Sequence, residues 1–395
     1  MKIVAAIDSF KGSMTSIDAG DAAALGIQRA CPTAEVVVRP LADGGEGTVE
    51  AVIEGMQGRR QVVTVTGPLG KPVDCVYGMI PEINTAVIEM SGAAGITLVE
   101  REELNPLEAT TYGVGEVIRD AVNRGCRRFI VGIGGSATND GGVGMLQALG
   151  FDFLDEDGNQ IEKGAKGLRT LAKISTEHVM PELKECEFMV ACDVTNPLLG
   201  ENGCSAVFGP QKGATEKMVQ EMDQLLSHYV SLSEEFCKEQ IRNYEEGAYL
   251  IKEVDEAYPG SGAAGGMGFA FRTFLNATLK PGIDIVLEET RLEDYIKDAD
   301  LVITGEGMLD FQTAMGKAPI GVAKLAKKHG KPVIAFAGGV TKDAATCNDA
   351  GIDAFFPIVR GVTTLEDAMK PENARGNLAD TAEQVMRVIG CSKEL

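Results

Sequence analysis

Phe129-Ile130-Val131-Gly132-Ile133-Gly134-Gly135-Ser136-Ala137-Thr138-Asn139-Asp140-Gly141-Gly142-Val143-Gly144 runs from an apolar strand into glycines and a single acid. A strand that ends in glycines and starts a helix presents unpaired backbone N–H groups and the positive end of a helix dipole, which suits phosphate. The acid cannot bind phosphate, but it can hold Mg²⁺ or accept a proton. The pattern D-G-G-x-G also occurs at Asp43-Gly44-Gly45-Glu46-Gly47, again after a strand-like run at 35–41. Glycines for anions and carboxylates for a metal or a hydroxyl together point to phosphoryl transfer.

Outward from these loops, the chain alternates strand and helix at both ends. A strand at 2–8 leads through Ser9-Phe10-Lys11-Gly12 into a helix near 16–30, and the strand at 35–41 leads into a helix where Val49, Val52, Ile53 and Met56 recur at helical spacing. Between 60 and 90 the runs are short and alternating, broken at Gly67-Pro68 and Gly70, which predicts antiparallel hairpins. After 284 the alternation resumes with Leu301-Val302-Ile303-Thr304. A helix then opens at Pro319 and closes at Gly330, and strands follow at 333–337 and 354–358, with a last helix near 376–389. The expected architecture is α/β: a doubly wound, Rossmann- or flavodoxin-like parallel sheet from 1–64 plus 284–395, interrupted by a mixed α/β domain at 65–283. The active site is expected in the cleft between the domains, at strand carboxyl ends.

Composition narrows the function classes. The chain has 37 basic and 58 acidic residues, a net charge of −21, which repels nucleic acid and anionic lipid. An anionic small substrate therefore needs a locally positive site made by Lys, amides or a metal. The first residues read as a strand with no room for a signal peptide, and no uncharged apolar run reaches about 20 residues. Nine Cys without CxxC pairs read as reduced thiols of a cytoplasmic protein, and three His are too few for a His-based triad or zinc site.

Each loop has a structural alternative. Lys11 is either the first cation available to a phosphate or carboxylate, or a solvated residue of a βα turn; the GxxxxGK[ST] spacing is absent around it. Asp43, Asp140 and Asp193 are proton acceptors, metal ligands or turn caps. Lys212, in the tight turn Phe208-Gly209-Pro210-Gln211-Lys212-Gly213, is either set against a phosphate or, the favoured reading, a solvated loop residue. Residues 259–268 hold five glycines and no charge, which allows close backbone approach or a simple crossing. Thr304-Gly305-Glu306-Gly307-Met308-Leu309-Asp310, with Gln312, Thr313, Gly316 and Lys317 beyond, is the densest polar cluster. Gly132-Ile133-Gly134-Gly135-Ser136-Ala137 also fits GxGxxA with Asp155 about 20 residues on, so an NAD(P)-dependent hydroxy-acid dehydrogenase is the competing reading.

Asp8-Ser9-Phe10-Lys11-Gly12, Leu41-Ala42-Asp43-Gly44-Gly45-Glu46-Gly47-Thr48, Gly134–Gly142, Cys192-Asp193-Val194-Thr195-Asn196-Pro197-Leu198 and Thr304-Gly305-Glu306-Gly307 together resemble the bacterial type I glycerate kinase family, the glycerate 2-kinases. They run in that family's order across nearly the whole chain. The resemblance implies ATP-dependent, Mg²⁺-assisted phosphorylation of D-glycerate to 2-phosphoglycerate. On that basis Asp193, Lys11 and Asp140 are candidate catalytic residues, with Asp193 first as the acid that takes the hydroxyl proton. Ser9, Lys11, Ser136, Asn139 and Asp43 are candidate substrate contacts. Gly44, Gly45, Gly134, Gly135, Gly305, Glu306 and Lys317 are candidates for the nucleotide phosphates, and Asp140 and Asp43 for the metal. One departure stands out: the family carries Arg where this chain has Met308. That substitution leaves more of the charge neutralisation to Lys317 or Lys11, and it gives a non-catalytic nucleotide or metabolite sensor as a third reading.

Overall fold

The computed structural model describes residues 1–42, 47–56, 58–243, 248–251 and 253–392. The chain divides into two compact units, one of 1–43, 50–56 and 283–395, the other of 44–49 and 57–282.

The first unit is built on a five-stranded parallel sheet in the spatial order Ala354–Pro357, Val333–Val340, Leu301–Leu309, Lys2–Ala5, Glu35–Val38. Numbered within the unit this is 2-1-3-4-5, the flavodoxin-like order of a doubly wound fold. Ile3, Ala5 and Ile303 pack with Ala19, Ala23 and Ile27 of helix Ser16–Ala30 and with Leu378 and Ala382 of helix Pro371–Ser392. The alternate residues Val4 and Val302 are equally buried, so both faces of the sheet are covered, as a parallel sheet requires. Thr15 caps helix Ser16–Ala30, taking the N–H of Asp18 while Asp18 reaches back to the Thr15 N–H. Pro319 sits in the first turn of helix Ala318–Lys328, where its missing N–H costs nothing.

Leu301–Leu309 is longer than its apolar start suggests. Gly305-Glu306-Gly307-Met308 looks like a loop in sequence, but it stays in register with Phe336–Val340. Parallel pairing to a neighbour outweighs the low strand propensity of the glycines.

The second unit carries a six-stranded mixed sheet in the order Thr278–Lys280, Glu187–Ala191, Arg128–Gly132, Thr85–Glu89, Pro72–Ile80, Arg59–Thr66. The first four strands are parallel; the last two join as the antiparallel hairpins expected from Gly67-Pro68. Arg59–Thr66 pairs along its length with Pro72–Ile80 and so belongs to this sheet. Its core joins Phe129, Val131 and Val190 of the sheet to Val114, Val117 and Ile118 of helix Tyr112–Asn123. Phe153, Phe269 and Phe274 surround Tyr229, which projects from the 27-residue helix Glu216–Arg242, and Phe151 meets Phe274 and Tyr249 edge-on. No described helix is long and apolar enough to cross a membrane.

Candidate active site

In the first unit the strand order reverses between Lys2–Ala5 and Leu301–Leu309, and ligands of such sheets bind at the carboxyl ends beside that reversal. The chain leaves Lys2–Ala5 along its neighbour: the N–H of Ala6 donates to the carbonyl of Ile303 at 2.8 Å and that of Asp8 to the carbonyl of Gly305 at 2.9 Å. Asp8 is buried and takes the Ser9 N–H at 2.7 Å. Phe10 and Met14, both buried, exchange backbone hydrogen bonds of 2.9 and 3.0 Å. They close a tight turn that holds Lys11 exposed at its tip.

Alongside, Gly305 and Glu306 are buried, and Glu306 Oε1 receives the Thr313 hydroxyl at 2.5 Å. Thr313 is in turn fixed by Asp310, whose Oδ1 takes its N–H at 3.0 Å and whose own N–H donates to Thr313 Oγ1 at 3.2 Å. Lys317 precedes helix Ala318–Lys328, its Nζ 4.0 Å from Asp310 Oδ1. Ser9, Lys11, Gly305, Glu306 and Lys317 thus all belong to this unit. Met308 is half-exposed opposite Gly339, with its thioether lying across that glycine: a Cβ there would stand 2.7 Å from the Met308 methyl.

In the second unit, Gly134, Gly135 and Ser136 follow Arg128–Gly132, and Asp193 follows Glu187–Ala191 on the adjacent strand. Gly134 and Gly135 are exposed. Asp193 is also exposed and takes the Gly282 N–H on Oδ1 at 3.0 Å. Beyond the turn the chain dives inward, and Thr138, Asn139 and Asp140 have no exposed surface. Asp140 Oδ2 accepts from the Thr111 N–H (2.8 Å), the Thr111 hydroxyl (3.0 Å) and the Gly144 N–H (3.3 Å), and Oδ1 accepts from the Gly142 N–H (3.1 Å). Burial pushes its carboxyl up, and these donors oppose that by favouring the carboxylate. Asn139 Nδ2 donates to Ser205 Oγ at 2.8 Å.

The second D-G-G-x-G loop is therefore interior. Its Asp, expected to serve a proton or a metal, ties two loops together through its hydrogen bonds, and Gly141 and Gly142 are both buried. The glycine-rich stretch at 259–268 backs it. Ala264, Gly265 and Gly266 are left-handed, and the Gly141 N–H donates to the Gly265 carbonyl at 2.9 Å. A Cβ on Gly265 would stand 2.1 Å from the Thr138 carbonyl oxygen, so side-chain-free backbone meets backbone there. The first D-G-G-x-G loop, with Asp43, Gly44 and Gly45, lies outside the described residues.

Lys212 is the residue that sequence reasoning misplaced. Far from solvated, it is 1 % exposed, and its Nζ donates to Ser136 Oγ at 2.8 Å and to the Thr138 carbonyl at 2.6 Å. Thr110, Thr111 and Ser205 were missed as well, because nothing local marks a Thr or Ser as the partner of a loop some 30 to 66 residues away.

A family model described as the glycerate kinase family matches residues 3–390. The chain belongs to the glycerate kinase family. A glycerate kinase of Haemophilus influenzae is 48% identical over 98% of this chain and 99% of its own length. The glycerate 2-kinase of Escherichia coli is 46% identical over 99% of this chain and all of its own. A crystal structure of a putative glycerate kinase 2 from Salmonella typhimurium, 44% identical, superposes with a TM-score of 0.89 over the full length of both chains.

The dinucleotide reading fits this glycerate kinase family member poorly. Ala137 leads into a buried loop, and the next helix, Val143–Ala148, starts only six residues later. Asp155 closes a turn by taking the N–H groups of Asp157 and Asn159 at 3.0 and 2.8 Å, whereas a ribose-binding acid needs its oxygens turned to the cofactor.

Proposed function

We propose that this chain transfers the γ-phosphoryl group of ATP to the 2-hydroxyl of D-glycerate. What supports this most is similarity over the whole chain to relatives named glycerate kinase and glycerate 2-kinase. Among the described residues the matching motifs lie at or toward the carboxyl ends of parallel strands, where α/β sheets hold ligands.

Phosphoryl transfer needs positioning and charge neutralisation more than covalent chemistry. The exposed Gly134-Gly135 turn is assigned to the nucleotide phosphates. Lys11, at the tip of its turn, is assigned to the glycerate carboxylate or the transferred phosphoryl group. Asp193 accepts or orients the hydroxyl proton. Within the first unit taken by itself, Glu306, fixed by Thr313, and Lys317 are the candidates for phosphate or its metal.

Mg²⁺ that arrives on ATP takes most of its oxygens from phosphate and water and needs only one or two carboxylates. Glu306, on strand Leu301–Leu309, offers a carboxylate of that kind. Bound there, Mg²⁺ would neutralise the β- and γ-phosphate oxygens. Glu306 is the candidate carboxylate to hold it; Asp140, interior and accepting hydrogen bonds on both oxygens, is proposed to position the loop instead.

Mg-ATP and D-glycerate supplied to the purified protein should release ADP and yield a product that enolase consumes, because enolase takes only the 2-phospho isomer. ADP release without enolase-competent product would reject the 2-hydroxyl, and nucleotide binding without turnover would favour a sensor. Lys11→Ala should raise the KM for glycerate or lower kcat by about tenfold or more, the loss expected for one charge-assisted contact. Unchanged kinetics would leave Lys11 as a solvated turn residue.

A further inference from the structure

We propose that Lys212 is the positioning cation of the phosphate-binding turn: from beneath, it fixes the Ser136 hydroxyl and gives Gly134-Gly135-Ser136 the positive potential that draws nucleotide phosphate. The proposal rests on the kinase reading above and gives a definite role to a residue that the sequence left between a solvated turn and a phosphate contact.

A buried ammonium is expensive unless a carboxylate pairs with it. Lys212 is almost wholly buried, and its two hydrogen-bond acceptors, the Ser136 hydroxyl and the Thr138 carbonyl, are neutral. Asp140 is the acid whose charge it feels, without a hydrogen bond between them. A methionine would fill the same space without desolvating a charge, so the charge itself has a use.

The geometry shows where that use lies. Ser136 Oγ spends a lone pair on the ammonium, which leaves its O–H to donate. Among the described residues that O–H has no acceptor, and the backbone N–H groups of Gly134, Gly135 and Ser136 donate to none. Three N–H groups and a hydroxyl, at a turn whose Gly134 and Gly135 are exposed, backed by a desolvated positive charge, suit an anion.

Burial lowers the Lys212 ammonium to about 8. The groups facing it are the Cys204 thiol, pushed up to about 11, the Asp140 carboxyl, and the Tyr229 phenol, pushed up by burial. The thiol and the phenol stay neutral between about pH 7.5 and 9.5, and ADP is fully ionised throughout, its last phosphate proton leaving near pH 6.

Calorimetric titration of the full-length protein with ADP should show affinity falling about tenfold across this window. Lys212→Met should bind ADP about tenfold more weakly at pH 7.5 and show no further fall. Stability should move the opposite way. A Lys whose folded value lies below its unfolded one opposes folding while charged in the native state, so its burden eases as pH rises through about 8. The melting temperature of the wild type should therefore gain on Lys212→Met over the same window in which ADP affinity is lost. A Lys that only braced the fold would change melting and leave ADP affinity independent of pH, and that result overturns the proposal. Should Lys212→Met not fold, Ser136→Ala keeps the ammonium and removes its outlet; about tenfold weaker ADP binding with unchanged melting is expected, and unchanged binding is fatal. Glycerate turnover with pH-independent ADP affinity defeats the Lys212 role alone. The expected pH dependence without turnover defeats the kinase reading alone.

Discussion

Asp193→Asn is expected to lower kcat by about 10²–10⁴-fold, the range for removal of a general base, with melting unchanged. The substitution is conservative in structure. Asp193 is exposed just after Glu187–Ala191, and the bond it accepts from the Gly282 N–H can be kept by the carbonyl-type oxygen of Asn. What Asn lacks is the capacity to take a proton. Measurement of kcat and KM separately for ATP and glycerate checks the role, since a base lost from the transition state lowers kcat and leaves the ATP KM nearly alone. A fall of less than about threefold in a folded variant would move the role to another carboxylate.

Asp140→Asn should be the most damaging of the structural substitutions. It removes no surface contact, because Asp140 has no surface. It places an NH₂ group where backbone or hydroxyl donors now converge, from Thr111 and Gly144 on one oxygen or Gly142 on the other. At least one donor then faces a donor in the interior, at a cost of about 3–5 kcal/mol. That corresponds to roughly 10 °C in melting temperature for a unit of this size. Thermal unfolding followed by circular dichroism reads it directly. A loss below about 2 °C would show that the loop re-forms its hydrogen bonds without the carboxylate.

The contrast between these two acids shows what was legible in the sequence. Both follow apolar strands and both precede turn residues, so by local pattern they are equivalent. Only the packing separates them: one stays at the rim, while the other is carried inward by a loop that closes under helices Glu216–Arg242 and Ala263–Leu275. Lys212 was misread for the same reason, since a Lys in a Pro-Gly turn looks solvated until the turn is laid against Ser136.

Features set by neighbours in sequence were readable. The helix at 16–30 shows its apolar period and capping residues, and the helix beginning near Pro319 shows its proline. The hairpins after residue 60 show alternation and turn residues. The strand at 305–309 did not, because its glycines argue for a loop and only the partner strand at 336–340 overrides them. The doubly wound order followed from alternation at both ends of the chain. The crossing into the second unit was harder to place, because Arg59–Thr66 alternates like any strand and only its pairing reveals which sheet owns it.

The backbone contact between Gly265 and Thr138 bears on how this protein tolerates mutation. Gly265 and Gly266 touch no proposed ligand, yet any side chain at either meets main chain within 3 Å. In a survey of every single substitution scored by growth or turnover, both positions should rank with Asp193 among the least permissive. An observer with activity scores alone would take them for catalytic. Ala264 stands in the same left-handed turn at φ 52° and should behave in reverse, gaining from replacement by glycine. Intolerance to substitution in this turn therefore measures distance from the main chain, not distance from the chemistry.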